Sequence, residues 1–172
     1  MENNYKKIVL GGGCFWCVEA VFALTKGIVS ATCGYAGGDT NNPSYEEVSS
    51  GTTGHAEVVE VIYDASLITL SDILKTFFAM HDPTSLNRQG NDVGTQYRSA
   101  IYWNDEDQKN EVESFIAAAQ KEYTKPIVTE VKKLDRFYRA EEYHQQYFEK
   151  NPNQAYCRLV IAPKVNKFKK VL

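Results

Sequence analysis

The hydrophobic residues of the chain switch between the two-residue spacing of strands and the longer spacing of helices. The pattern predicts strands at 8–10, 28–33, 56–63, 99–103 and 128–132. It predicts helices from Cys14 to about Leu24, over 70–78 with Thr69 or Ser71 as N-cap, from Asn104 or Asp105 to 119, and from Ala140 to Lys150. Such an alternation indicates an α+β protein, a two-layer sandwich with helices on one face of an antiparallel sheet.

Two long connections separate these elements. Residues 34–54 are rich in Gly, Asn, Ser and Thr, and residues 81–95 form the second connection. Loops of this length in a small domain usually carry function. Residues 151–172 are predicted to be an irregular C-terminal tail with one candidate strand, Arg158 to Ala162.

Composition limits the class of protein. A length of 172 residues with 43% hydrophobic content fits one catalytic domain spanning 1–172. The net charge of -3 comes from interspersed acids and bases, so we expect no nucleic-acid partner. The N-terminus carries neither a signal peptide nor a membrane span, which predicts a cytoplasmic protein, and we expect a monomer. Four cysteines are too few for a disulfide framework and favour redox or catalytic thiols.

Cys14 follows three glycines at the predicted start of the first helix. A helix start favours an anion, so the position predicts a stabilised thiolate and a nucleophile. Phe15 and Trp16 beside it indicate an apolar pocket. Two alternatives remain open: Cys14 and Cys17 pack as small hydrophobic residues, or they bind zinc with two of the three histidines. Those histidines are His55, His81 and His144.

Glu57 stands at the start of a strand between apolar residues. Burial there would raise its pKa and make it a general acid. The alternatives are an exposed glutamate or an ion-pair partner of Arg98. Tyr45 and Tyr97, one in each long loop, can donate hydrogen bonds to a substrate oxygen. A protease-like dyad in which His55 is the base is a weaker alternative.

Several sequence blocks closely resemble peptide methionine sulfoxide reductase A. They are Gly-Gly-Cys-Phe-Trp around Cys14, Gly34-Tyr35-Ala36-Gly37-Gly38, Asn42-Pro43-Ser44-Tyr45-Glu46-Glu47-Val48, Gly54-His55-Ala56-Glu57, His81-Asp82-Pro83-Thr84 and the stretch Asn87 to Ser99. Tyr143-His144-Gln145 and the segment from Asn151 to Lys164 extend the match over nearly the whole chain. The blocks occur in the family's order.

The resemblance implies a ferredoxin-like core with long loops and reduction of methionine S-sulfoxide, free or in proteins. It implies no metal and no bound cofactor. The roles it assigns are nucleophile for Cys14, proton donor for Glu57, hydrogen-bond donors to the sulfoxide oxygen for Tyr45 and Tyr97, support of that polar cluster for Asp92, and substrate-binding aromatics for Phe15, Trp16 and Tyr156.

The implied reaction leaves Cys14 as a sulfenic acid, which a second thiol converts to a disulfide that thioredoxin, or dithiothreitol in vitro, reduces. Cys157 follows a tyrosine in the tail, as the family's recycling cysteine does, and a flexible tail favours it. Cys17 is the second candidate, because Cys-x-x-Cys spacing at a helix start allows a local disulfide. Cys33 is interpreted as packed core. The rival function is a non-catalytic module that binds oxidised or methyl-bearing peptides.

Overall fold

A six-stranded sheet forms the centre of the computed structural model, which describes residues 3–169. Its strands are β1 (Tyr5–Gly11), β2 (Ile28–Ala36), β3 (Ala56–Asp64), β6 (Ala100–Trp103), β7 (Glu130–Lys133) and β8 (Phe137–Arg139). Their order is β7-β6-β1-β3-β2-β8. A separate hairpin joins β4 (Arg88–Gln89) to β5 (Asp92–Val93). The strand predictions from periodicity are confirmed to within a few residues.

Six α-helices accompany the sheet within the described residues. They are α1 (Phe15–Ala23), α2 (Tyr45–Ser49), α3 (Leu70–Met80), α4 (Glu106–Ala119), α5 (Tyr147–Lys150) and α6 (Ala162–Lys169). Thr69 caps α3 in a reciprocal arrangement with Asp72, which confirms one of the two expected caps. None of the helices within 3–169 has the length and apolar character needed to cross a bilayer.

The chain runs β1-α1-β2-β3-α3-β6 through the central strands, in the sheet order β6-β1-β3-β2. Each helical connection therefore skips one strand, and the neighbouring strands are antiparallel. Ile8 and Leu10 of β1 belong to the same buried cluster as the apolar residues of the helices. Val9 points to a smaller cluster on the other face, against which Leu134 and Phe137 pack. The expected α+β domain with its helices on one face is confirmed.

The sheet is not wholly antiparallel, because β6 and β7 pair in parallel. The prediction of an irregular tail with a strand at Arg158–Ala162 is also wrong. A π-helical turn covers Cys157–Ile161 and continues directly into α6. Ile161, Val165 and Phe168 are buried at helical spacing, and their burial against the core stabilises the helical form.

The predicted helix from Ala140 to Lys150 is two short pieces. A 3₁₀ turn covers Glu142–His144, and α5 begins only after Gln146, which adopts φ of 54°. A residue in the left-handed conformation interrupts a helix, because the amides that follow it no longer point at the carbonyls of the preceding turn. The two long loops contain α2 and the β4–β5 hairpin respectively, and periodicity missed both elements, as it missed β8.

Candidate active site

Cys14 lies at the junction between β1 and α1. Gly13 before it has φ of 90°, and a Cβ there would approach the side chain of Gln89 to 2.8 Å. Only glycine suits this turn. Cys14 is the N-cap residue of α1, and its carbonyl accepts from the amide of Cys17 at 3.1 Å. Cys14 is therefore half-buried beyond the C-terminal end of β1, where the helix begins.

Glu57 is a buried acid beside this junction. It lies on β3 with 2% of its surface exposed, and the amide of Phe15 donates to its Oε1 at 3.2 Å. The pKa of Glu57 is raised to about 8, chiefly by burial, with the Phe15 amide opposing the shift and the nearby charge of Asp92 adding to it. The alternatives of an exposed glutamate and of an ion pair with Arg98 are wrong. Arg98 donates instead to Glu130 at 2.6 Å.

Cys14 and Glu57 open into a cleft of about 280 Å³. The cleft is lined by Cys14, Phe15, Trp16, Tyr45, Glu57, Asp92, Tyr97, Gln154 and Tyr156. Every residue expected to be catalytic or substrate-binding is therefore present in one place. Gln154 was missed, because a polar residue in a tail predicted to be irregular carries no signal of its own.

The apolar wall of the cleft is built from stacked rings. Trp16 stacks on Tyr147 with ring centroids 3.7 Å apart and planes 6° apart. Tyr156 meets Trp16 edge-on at 5.9 Å, and the indole N–H of Trp16 donates to Nδ1 of His144 at 3.1 Å. Phe15 lies 5.0 Å from the same imidazole. The wall is thus fixed by contacts with the segment 143–156, far away in sequence.

The phenols of Tyr45 and Tyr97 face the polar side of the cleft. Tyr45 begins α2, and its amide donates to the carboxylate of Glu141 at 3.0 Å. Tyr97 ends a 3₁₀ turn over Thr95–Tyr97. Burial and the charge of Glu57 raise the pKa of both tyrosines. Both hydroxyls therefore carry a proton at neutral pH and can donate hydrogen bonds.

Asp92 and Tyr156 are hydrogen-bonded across the cleft. The hydroxyl of Tyr156 donates to Oδ2 of Asp92 at 3.0 Å and lies 4.0 Å from Sγ of Cys17. Asp92 comes from β5, Cys17 from the first turn of α1, and Tyr156 from the tail. Three distant segments of chain therefore meet at one hydroxyl group.

The pKa values of Cys14 and Cys17 shift in opposite directions. Burial raises the pKa of Cys14 well above its ordinary value, and a hydrogen bond with the Cys17 thiol and the charge of Glu57 add to the effect. The expected lowering by the helix start is wrong, because burial outweighs it. The hydrogen bond with Cys14 lowers the pKa of Cys17, and Lys164 and the Tyr156 hydroxyl contribute to that lowering against the effect of burial.

The other two cysteines are fully buried. Cys33 lies 3.1 Å from Oε2 of Glu19, which confirms its place in the packed core. Cys157 is enclosed in the π-helical turn, where burial raises the pKa of its thiol. The premise that Cys157 lies in a flexible, irregular tail is therefore wrong.

The histidines have other partners than Cys14. Nδ1 of His55 accepts from the amide of Gly38 at 3.0 Å, and its Nε2 lies 2.7 Å from the carbonyl of Thr40. The proposed His55–Cys14 dyad is not formed. His81 is hydrogen-bonded to Ser99, and burial lowers its pKa to about 4. Within residues 3–169, no three side chains of the His, Cys, Asp or Glu types gather as metal ligands.

Known proteins are similar to this chain in sequence and in fold. The family model described as peptide methionine sulfoxide reductase matches residues 6–172. A peptide methionine sulfoxide reductase MsrA from Saccharolobus solfataricus is 53% identical over 162 residues, 94% of this chain and 92% of the relative. The MsrA of Trichodesmium erythraeum is 56% identical over 165 residues, covering 95% of this chain and 93% of the relative.

Solved structures agree. The reduced form of Mxr1 from Saccharomyces cerevisiae superposes with a TM-score of 0.85 at 38% identity, covering 90% of each chain. Mxr1 in complex with Trx2 matches with a TM-score of 0.63 at 28% identity, covering 86% of this chain and 87% of that one. The chain therefore belongs to the peptide methionine sulfoxide reductase family and is a peptide-methionine (S)-S-oxide reductase.

Proposed function

We propose that Cys14 attacks the sulfur of methionine S-sulfoxide while Glu57 protonates its oxygen. One observation carries this assignment: a half-buried thiol and a buried carboxyl group with a pKa of about 8 line the same small cleft. A sulfoxide is a weak electrophile whose oxygen leaves only when it is protonated, so the reaction needs both groups. Glu57 holds its proton at neutral pH and delivers it in the first step.

The polar side of the cleft then stabilises the developing charge. The hydroxyls of Tyr45 and Tyr97 donate to the sulfoxide oxygen, since both remain protonated. After Glu57 has released its proton, the amide of Phe15 stabilises the carboxylate, because it already donates to Oε1. Asp92 supports the polar cluster through its bond with Tyr156.

The aromatic side recognises the methyl group. Phe15, Trp16 and Tyr156 present ring faces and edges to the cleft. One buried methyl group contributes roughly 1 kcal/mol by apolar contact, which selects a methyl sulfoxide over water or a polar side chain. A cleft of about 280 Å³ accommodates one methionine side chain, either free or in a protein.

The first step balances within the site. A transient bond forms between Sγ of Cys14 and the substrate sulfur while Glu57 protonates the sulfoxide oxygen. The hydroxyl group then moves to Sγ of Cys14, so that the substrate S–O bond and the transient S–S bond both break. The thiol proton of Cys14 returns to Glu57. The products are methionine and a Cys14 sulfenic acid, so the thiol supplies both electrons.

A second thiol, Cys157 or Cys17, then forms a disulfide with Cys14, and thioredoxin reduces it. The complex of the related Mxr1 with Trx2 supports thioredoxin as the partner. Dithiothreitol replaces it in vitro. This cycle uses thiols alone and calls for no bound metal or cofactor.

The finer description of the fold and location is also proposed. The order β6-β1-β3-β2 with two strand-skipping helical connections supports a ferredoxin-like core. Four cysteines without a disulfide support the cytoplasm as the compartment. A monomer without nucleic-acid or membrane partners stays a prediction.

Incubation with each epimer of methionine sulfoxide and dithiothreitol tests the proposal. We expect methionine from the S epimer and none above background from the R epimer, as measured by amino-acid chromatography. Binding of an oxidised peptide without any methionine would instead establish the non-catalytic module.

A further inference from the structure

The hydroxyl of Tyr156 stands between a carboxylate and a thiol. It lies 3.0 Å from Oδ2 of Asp92 and 4.0 Å from Sγ of Cys17. Binding of a methyl group uses only the ring of Tyr156. Substrate recognition therefore does not explain why its hydroxyl contacts both Asp92 and Cys17. While Cys17 is protonated, the hydroxyl of Tyr156 donates its one proton to Asp92, which fixes its position. When Cys17 ionises, the same proton can be donated to its sulfur.

Cys17 also lies within one helical turn of the cysteine that is oxidised. Its amide donates to the carbonyl of Cys14 at 3.1 Å in the first turn of α1. Cys-x-x-Cys pairs at helix starts form disulfides, and their acidic thiols are the reactive ones. The lowered pKa of Cys17 supports this role, since a larger thiolate fraction at neutral pH speeds attack on the sulfenic acid.

Cys17 and Cys157 are both buried, but they differ in their partners and in the direction in which their pKa shifts. Cys157 is fully buried in the turn that leads into α6, and its amide donates to the side chain of Gln154 at 3.2 Å. Its pKa is raised by burial, and a charge on Cys17 raises it further. The Cys157 thiol must therefore lose its proton before it can react.

We propose that Cys17 is the cysteine that resolves the Cys14 sulfenic acid, and that Tyr156 and Asp92 position it. This inference rests on the proposed function, which supplies the sulfenic acid. Sγ of Cys17 attacks Sγ of Cys14, the S–S bond forms and the S–O bond breaks. The hydroxide that leaves takes up the proton lost by Cys17 and departs as water. Thioredoxin then reduces the disulfide.

Peptide mapping of the wild-type protein tests the first disulfide directly. Trypsin cleavage after Lys7 and Lys26 yields a fragment 8–26 that contains both Cys14 and Cys17, whereas Cys157 lies in fragment 151–158. After one equivalent of sulfoxide without reductant, samples are quenched with an alkylating agent over a time course. We expect fragment 8–26 to become lighter by two hydrogens while Cys157 is alkylated.

The possible outcomes separate the two proposals. One methionine per chain with a first disulfide that links fragments 8–26 and 151–158 overturns the role of Cys17 and leaves the proposed function intact. No methionine overturns both. Methionine with the internal disulfide of fragment 8–26 supports both.

Variants test the same step without relying on the map. In Cys17→Ala we expect release of one methionine followed by a lasting Cys14 sulfenic acid, which dimedone labels. The matched control Cys157→Ser should still form the internal disulfide of fragment 8–26. Disulfide formation at the wild-type rate in Cys17→Ala overturns the proposal, and far-UV circular dichroism verifies that both variants fold.

Tyr156→Phe tests the positioning role, because it keeps the ring against Trp16 and removes the hydroxyl. We expect it to slow disulfide formation about tenfold more than methionine release, the effect of one hydrogen bond to a charged sulfur. The pH midpoint for alkylation of Cys17 should rise. Tyr138→Phe, whose hydroxyl bonds Asn41 elsewhere, is the control. Equal rates and midpoints in the two variants overturn the role of Tyr156.

Discussion

The indole N–H of Trp16 donates to Nδ1 of His144 at 3.1 Å. The bond requires a neutral imidazole with its proton on Nε2, which has no hydrogen-bond partner among residues 3–169. His144 is fully buried, burial lowers its pKa, and its ring lies 4.5 Å from that of Tyr45. One imidazole therefore supports both the aromatic wall and a phenol of the cleft.

Replacement of His144 by Ala should lower kcat/KM by about tenfold. The Trp16 indole N–H loses its hydrogen-bond acceptor, and Phe15 loses a ring that packs against it. His144→Asn should recover most of this loss, since its side-chain oxygen can accept near the position of Nδ1. Steady-state kinetics on methionine S-sulfoxide measure both variants.

Fluorescence distinguishes a fixed Trp16 from a general loss of structure. The chain has two tryptophans, so a Trp103→Phe background reports on Trp16 alone. We expect an altered emission in His144→Ala and a near-normal one in His144→Asn. Identical emission and kinetics in the Ala and Asn variants would show that the acceptor has no role.

Cys14→Ser should lower turnover below about one thousandth of the wild-type rate, because a hydroxyl is a far weaker nucleophile than a thiol and cannot be oxidised to a sulfenic acid. The fold should persist, since the substitution is small and the residue is half-buried. Methionine release and far-UV dichroism are measured together. Substantial turnover by the folded variant would exclude Cys14 as the nucleophile.

Glu57→Gln should slow methionine formation in a single turnover by about a hundredfold or more, since the amide keeps the size of the acid but has no proton to transfer. Binding of the substrate should change little. Rapid-quench measurements on the two proteins decide the matter, and an unaltered rate between pH 5 and 9 would make Glu57 a purely structural residue.

Glu57 also predicts how stability depends on pH. Its pKa rises from 4.5 to about 8 on folding, so between these values the unfolded chain releases a proton that the folded chain retains. The contribution of Glu57 to the free energy of unfolding is therefore full below pH 4.5, falls as the pH rises, and is lost above about 8. Urea unfolding at several pH values should show the free energy of unfolding of the wild type falling relative to that of Glu57→Gln as the pH rises through this window. A constant difference would contradict the shifted pKa.

Local patterns were enough to predict much of the fold. The apolar run of β1, the glycines and the spaced residues of α1 placed Cys14 at a strand-to-helix junction, as observed. Alternation in β3 put Glu57 on the same side as Val59 and Val61, which face the helices. Patterns of this kind work because a strand or helix with one apolar face has only one way to bury it.

The tail shows where local patterns fail. Its few apolar residues are stabilised as π-helix and α6 only because Ile161 and Val165 reach a core built from distant segments. The spacing of apolar residues in β7 likewise does not specify which edge of the sheet the strand joins, or that it pairs in parallel with β6.

The sequence by itself determined which residues are the candidates for the chemistry, since residue type, glycine turns and motif order are local properties. Tertiary structure alone decided their protonation and their neighbours. Burial of Cys14 overcame the helix start that favoured its thiolate, and desolvation depends on every segment that covers a group. The contact of Cys17 with Tyr156 spans 139 positions, a distance at which spacing along the chain carries no information about proximity.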